Sequence, residues 1–237
     1  MKIKTAAEVF GEVLAAKKAP RIKLLGDSIT HGVGGDGWEQ KGEVIVKGWA
    51  QSPDSYCWAN SLRDYMKEKY GATVVNKACT GTNVEFILEH FDELVGADDD
   101  LIVCTIGTNN RHQRFSSGAK RTREEMAENF YRNVKKLNGM IAERGIPVIF
   151  MANIPASEAN ERDGADYWRI LHMCDINDAY RRLEREVGAT VVSLYEAFTA
   201  YCENNQIALD SLLCDGLHPN NDGYRAMYGL IIEEFQL

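Results

Sequence analysis

The chain has 237 residues, 45% of them hydrophobic and 26% charged, with a formal net charge of -8. That balance belongs to a folded globular protein, and its acidity excludes nucleic acid as the main partner, because phosphate binding needs a basic face. Met1-Lys2-Ile3-Lys4 leads straight into an amphipathic stretch without an apolar leader, and no apolar run approaches the length that spans a bilayer, so no membrane partner is expected. Six cysteines, at 57, 79, 104, 174, 202 and 214, form no Cys-x-x-Cys pair. They read as reduced thiols of a cytoplasmic protein rather than a disulfide frame or zinc site, although a mature secreted enzyme would look the same.

Residues 5–18 place Val9, Phe10, Val13 and Leu14 on one helical face behind a Thr5-x-x-Glu8 capping box. Residues 22–25 form a buried strand that meets Gly26-Asp27-Ser28 with no spacer, an apolar run ending in a tight turn. Read alone, Ser28 is a helix cap. The stretch 31–54 holds six glycines, Trp38, Trp49 and Pro53; a loop that long in a compact domain is functional or mobile, and 43–47 reads as a small strand within it. A helix over 55–70 ends at Gly71, a strand over 73–75 runs into the small-residue turn Asn76-Lys77-Ala78-Cys79-Thr80-Gly81-Thr82, and a helix follows over 83–95. Asp98-Asp99-Asp100 reads as a solvated loop rather than a metal site, since adjacent carboxylates on an extended chain do not face one another.

Residues 101–106 are a buried strand ending in Gly107-Thr108-Asn109-Asn110, and 111–123 is basic and irregular. A long helix over 122–144 opens with the capping box Thr122-x-x-Glu125. A strand at 147–152, a polar loop at 153–166, a helix at 167–187, a strand at 190–194 and a short helix at 195–204 come next. The stretch Leu212-Leu213-Cys214-Asp215-Gly216-Leu217-His218-Pro219-Asn220 then precedes a last helix carrying Tyr224, Met227, Leu230, Ile231 and Phe235. Strands and helices alternate with no linker, repeat or low-complexity tract, which predicts one α/β domain over 1–237 with a parallel sheet and helices on both faces.

Parallel strands joined by helices point their carboxyl ends to one edge, where open α/β sheets bind ligands. The turns after strands one, two and three, and the stretch before the last helix, therefore meet in space; they carry Ser28, Gly81, Asn109, and Asp215 with His218. A serine hydroxyl needs a base to become a nucleophile. His218 is of the right type, with a reference pKa near neutrality, and Asp215 three residues earlier can orient and charge-stabilise its imidazole. Taken singly, Asn109 reads as a turn residue, His218 as a surface His and Asp215 as a cap.

Gly26-Asp27-Ser28-Ile29, Gly81, Gly107-x-Asn109 and Asp215-x-x-His218, in that order and spread over most of the chain, resemble the blocks of the SGNH (GDSL-type) hydrolases. The resemblance implies a flavodoxin-like three-layer α/β/α sandwich on a five-stranded parallel sheet, and a serine esterase with no cofactor and no metal. It assigns Ser28, His218 and Asp215 as the catalytic triad, and the Ser28 and Gly81 amides with the Asn109 side chain as the oxyanion hole. Gly81 suits that role because a missing Cβ lets substrate approach its amide. Two positions depart from the family pattern: Ile29 replaces the Leu of Gly-Asp-Ser-Leu, a volume-conserving change, and Asn110 stands where the family often has Asp.

Trp38 and Trp49, in the loop after Ser28, have the ring type that stacks on sugar faces, which points to an acetylated saccharide as the small-molecule acyl ester; the plainer reading is that both pack the loop on the body. Arg111, Arg114, Lys120, Arg121 and Arg123 follow Asn109 and read either as a steering patch for an anionic substrate, with Arg111 as a substrate-binding residue, or as a solvated loop. His31 and His112 have no companion ligands at metal spacing. A carbohydrate acetylesterase is the first expectation. A short-chain carboxylesterase, thioesterase or lysophospholipase-type lipase is the second, and a non-catalytic binding module on the same fold is the reading from another class. Nothing in the sequence sets acyl length, the alcohol or the oligomeric state.

Overall fold

The structure, a computed structural model, describes residues 3–38, 55–113, 121–162 and 169–237. Five parallel strands, β1 (Arg21–Gly26), β2 (Thr73–Asn76), β3 (Leu101–Thr105), β4 (Val148–Ala152) and β5 (Thr190–Ser193), lie in the order β2-β1-β3-β4-β5. This is the doubly wound order whose direction reverses between β1 and β3. The central strands β3 and β4 are near-continuous apolar runs because helices cover both faces. Alternate residues enter different cores: Leu24, Val103 and Met151 on one face, Leu25, Cys104 and Phe150 on the other.

The first core is roofed by α1 (Ala6–Ala16), α3 (Trp58–Tyr70), α9 (Leu194–Asn205) and α10 (Asn221–Phe235), where Phe10 stacks on Phe235 at 4.5 Å between ring centroids. The second is roofed by α4 (Val84–Glu89), α5 (Phe91–Leu94), α6 (Arg123–Glu143) and α8 (Met173–Val187). Both expected capping boxes form, at Thr5 with Glu8 and at Thr122 with Glu125. The helix expected over 83–95 breaks at His90, yet Val84, Ile87, Phe91 and Leu94 still face the same core. The helix expected from 167 starts at Met173, because the Ile170 and Leu171 amides donate instead to the Arg111 carbonyl. The small strand expected at 43–47 lies outside the described residues. No helix among the described residues is long and apolar enough to cross a membrane.

Of the acidic run at 98–100, Asp98 is solvent-exposed as expected, but Asp99 and Asp100 are not. The run abuts the start of β1, so Asp99, 5% exposed, accepts the Gly96 amide and lies 3.3 Å from the equally buried Lys23 ammonium. Asp100 accepts the Arg21 amide and pairs with Lys17. These charges pin the amino ends of β1 and β3, at the edge of the sheet opposite Ser28.

Candidate active site

At its carboxyl end β1 passes through Asp27 into a single-turn helix, α2 (Ser28–His31). The cap of that helix is Asp27, not Ser28: the Asp27 Oδ1 accepts the Ile29 amide at 3.0 Å. Ser28 is thereby the first helical residue, and its own amide has no intrahelical acceptor. The turn is tied to its neighbours from below, since the Thr30 hydroxyl meets that of Thr105 at the end of β3 and the Thr30 carbonyl accepts Asn76 Nδ2 at the end of β2.

Asp215 and His218 sit in a loop between a 3-10 turn (Leu209–Leu212) and α10. Asp215 Oδ1 accepts the amides of Leu217 at 3.0 Å and His218 at 2.8 Å, which folds the loop back so that Oδ2 reaches His218 Nδ1 at 2.7 Å. The other ring nitrogen, Nε2, lies 2.8 Å from Ser28 Oγ across a separation of 190 residues. An ionised carboxylate only accepts, so Nδ1 carries the proton and Nε2 offers its lone pair to the Ser28 hydroxyl, which donates. Partial burial would raise the Asp215 pKa, but the backbone and ring N–H groups of His218 and the Leu217 amide outweigh it and hold the carboxyl below its ordinary value.

Two more expected residues lie on neighbouring strand-end turns, that of Gly81 tied to the end of β1 by the bond from the Cys79 amide to the Gly26 carbonyl. Gly81 lies in the turn after β2 with φ +79°, a conformation that disfavours side chains, and nothing lies within 4 Å of where a Cβ would stand. Among the described residues neither the Gly81 nor the Ser28 amide donates to a backbone acceptor. Asn109 belongs to a 3-10 turn (Thr108–Arg111) after β3 and donates one Nδ2 hydrogen to the Thr82 carbonyl at 2.9 Å, which leaves its second hydrogen for another acceptor. Gly107, at φ +133°, starts that turn where a Cβ would stand 2.5 Å from Ile176 Cγ2 and 2.9 Å from Phe130 Cζ.

The remaining expected contacts divide. Trp38 is half-buried and donates its indole N–H to His31 Nδ1 at 3.2 Å, so that edge of the ring is held by the body. Trp49, Arg114 and Lys120 lie outside the described residues. Arg111 is no part of an open patch: its side chain is fully buried, with Nε donating to the Thr108 carbonyl and the two terminal nitrogens to Glu161 and Asn160. Burial pulls its pKa down to about 10 against the charge of Glu161. These bonds spend its charge on Glu161 and tie the turn after β3 to residues 160–161 rather than presenting a cation to solvent. Arg123 is likewise taken, by Asp175.

Sequence reading missed Asn153, the first residue after β4. Its Nδ2 donates to Thr108 Oγ1 at 2.8 Å and to Asp27 Oδ2 at 3.2 Å, with every atom buried. Burial raises the Asp27 pKa, while hydrogen bonds from Thr108 and Ile29 and the charges of His218 and Arg111 oppose that rise. Four residues on, Ser157 caps the single-turn helix α7 (Glu158–Glu161), and its amide donates to the Gly216 carbonyl at 2.8 Å, inside the loop that carries Asp215 and His218. The segment after β4 therefore braces three of the converging turns. The signal was available: the carboxyl-end argument applies to strand four as it does to the others.

A serine hydroxyl, an imidazole and a carboxylate in hydrogen-bonded series at the strand ends of a parallel sheet can together activate the hydroxyl for acyl transfer. The family model described as "GDSL-like Lipase/Acylhydrolase family" matches residues 24–226, most of the chain. The chain belongs to that family and is a carboxylic ester hydrolase. Among solved structures it is similar to a protein from Parabacteroides merdae described as a GDSL-like lipase, with a TM-score of 0.67 and 19% identity over 100% of this chain and 99% of that one. It is also similar to an acetylxylan esterase from Geobacillus stearothermophilus (TM-score 0.66, 17% identity, 93% and 97% of the two chains) and to a lipase/acylhydrolase from Enterococcus faecalis (0.64, 21%, 92% and 95%). These likenesses define the shared SGNH hydrolase fold. No curated protein sequence matches the chain.

Proposed function

We propose that the chain hydrolyses acetyl esters of carbohydrates through Ser28, His218 and Asp215. The observation that carries the reading is the unbroken series Ser28 Oγ, His218 Nε2, His218 Nδ1, Asp215 Oδ2, with steps of 2.8 and 2.7 Å across space. His218 takes the hydroxyl proton as Ser28 Oγ bonds to the acyl carbon, and the carbonyl becomes an oxyanion. The Ser28 and Gly81 amides and the free Asn109 hydrogen stabilise that charge, each such donor being worth about 100- to 1,000-fold in rate. His218 then protonates the leaving alcohol as its bond to carbon breaks, leaving acyl-Ser28. A water, deprotonated by His218, attacks that ester and releases the acid with Ser28 regenerated. Asp215 keeps the imidazole in the reactive tautomer and stabilises its cation.

The acetylated-sugar part of the reading draws support from the fold shared with an acetylxylan esterase and from Trp38 beside the turn that bears Ser28. The test is hydrolysis of 4-nitrophenyl acetate by wild type and Ser28→Ala, followed by a panel of longer acyl esters and acetylated xylo-oligosaccharides. Activity that vanishes with Ser28→Ala and favours the acetylated saccharides supports the whole reading. Trp38→Ala then raises KM for the saccharides alone. A preference for long acyl chains with no acetate released from any saccharide overturns the substrate, and unchanged hydrolysis by Ser28→Ala overturns the mechanism.

A further inference from the structure

Asn110 departs from the family pattern at the residue beside the Asn109 amide, and a carboxylate from a different element meets it. Glu85, in the first turn of α4, accepts Asn110 Nδ2 at its Oε2 at 2.7 Å. Its Oε1 accepts Nδ2 of Asn129 and of Asn133, one turn apart on α6, at 3.0 and 2.8 Å. The Asn110 Oδ1 accepts the Val84 amide at 3.1 Å. Because the Val84 amide can only donate and the Glu85 carboxylate can only accept, the Asn110 amide has one satisfied orientation. One residue back, Asn109 donates to the Thr82 carbonyl at 2.9 Å.

Three hydrogen bonds thus sew the 3-10 turn of Asn109 to residues 82–85, directly after Gly81. Among the described residues Glu85 pairs with no cation, and its partners are three uncharged amides whose other ends sit on rigid elements. Such a carboxylate acts as an acceptor of fixed direction, strong because it is charged.

We propose that Glu85 is a positioning residue of the oxyanion hole. Through Asn110 it holds the turn carrying Asn109 against residues 82–85, so that the Asn109 side chain aims at the point the Gly81 amide faces. It touches no reacting atom. The proposal rests on the reading of Asn109 and Gly81 as oxyanion donors, and it predicts that the polarity of the contact between positions 85 and 110, rather than charge at either one, governs turnover.

A donor–acceptor swap tests this. Glu85→Gln keeps an oxygen toward α6 but sets one NH2 group against another at Asn110. Asn110→Asp sets two carboxylates face to face. The double variant Glu85→Gln/Asn110→Asp remakes the bond with its direction reversed, while the second Asp oxygen still accepts the Val84 amide. On 4-nitrophenyl acetate each single variant is expected to lower kcat about 10- to 100-fold with KM held within about 3-fold, the size of loss that a misplaced catalytic group gives. The double variant recovers kcat to within about 3-fold of wild type, and Glu85→Gln adds nothing in an Asn109→Ala background because both changes act through one group. Single variants with wild-type kcat overturn the proposal. So does a swap that fails to restore kcat or folding, an equal loss in the Asn109→Ala background, or single variants that do not fold beside a fully active double variant, since the pair is then a folding device. Asn109→Ala alone reads the underlying assignment: wild-type kcat there removes the oxyanion role itself, whereas a large loss there with unchanged single variants at 85 and 110 removes only the role of Glu85.

Discussion

Asn153→Ala removes a nitrogen that donates to Thr108 Oγ1 at 2.8 Å and to the Asp27 carboxylate at 3.2 Å, in a site where Asn153 is 1% and Asp27 0% exposed. The neutral bond contributes about 1 kcal/mol and the bond to a buried charged group about 1.5–3. Against this, Asn153 Oδ1 is buried with no partner, and its departure returns about 1 kcal/mol. The net loss is about 1.5–3 kcal/mol, or about 3–12 °C in Tm at roughly 2–4 °C per kcal/mol for a chain of this size. Asn153→Asp is the sharper variant, because it sets a second carboxylate against Asp27 at unchanged volume. Two carboxyls in contact hold one proton between them, so the folded-state pKa of the pair rises above its unfolded value of about 4. The folded state then binds more protons than the unfolded one, and stability falls as pH rises above about 4 through the raised value. Thermal unfolding followed by circular dichroism from about pH 5 to pH 8 checks the sign. The Tm gap between wild type and Asn153→Asp is expected to widen steadily with pH. A gap that is flat with pH, or an Asn153→Ala Tm within about 2 °C of wild type, refutes the bracing role.

Asp215→Asn leaves the shape of the loop but removes the charge behind His218, and kcat on 4-nitrophenyl acetate is expected to fall about 100-fold or more, less than a fully buried orienting carboxylate gives because Asp215 is half-exposed. The lowered pKa of Asp215 means that its contribution to stability is present above the ordinary 3.8 and is lost as pH falls through the lowered value, so acid unfolding of Asp215→Asn is shallower than that of wild type below pH 3.8. Gly107→Ala drives a Cβ into Ile176 and Phe130 at a left-handed φ and is expected to cost at least about 3 kcal/mol in chemical denaturation. Gly81→Ala meets nothing, costs about 1 kcal/mol and acts instead on kcat/KM, because its methyl stands beside the amide that substrate approaches. Arg111→Ala strands Glu161 beside a buried void and is expected to cost about 3–5 kcal/mol of stability, read by chemical denaturation.

Much of this site is legible in the sequence, for a physical reason. A parallel sheet places every post-strand turn at one edge, so Ser28, Gly81, Asn109, Asp215 and His218 are brought together by topology once strands and helices are read in order. What the sequence does not carry is which polar residue spends its hydrogen bonds where. Asp27 and Ser28 are equally good caps on paper, and only the bond from Ile29 decides between them. Arg111 reads as a surface cation until Asn160 and Glu161, about 50 residues away, are folded over it. Asp99 and Asp100 read as solvated until the amino end of β1 arrives with Arg21 and Lys23. Glu85 is one acid in the first turn of a six-residue helix, and nothing local marks it as the partner of Asn110, Asn129 and Asn133.

The claim that Ser28 is the nucleophile is tested most directly by covalent labelling with a fluorophosphonate. Attack by Ser28 Oγ forms the P–O bond as fluoride leaves with the electron pair, and His218 takes the hydroxyl proton. Intact-mass analysis with peptide mapping is expected to find one adduct per chain, on Ser28, absent from Ser28→Ala and formed at least about 100-fold more slowly by His218→Ala. An adduct on any other residue, or a Ser28→Ala protein that is labelled and cleaves 4-nitrophenyl acetate like wild type, contradicts it.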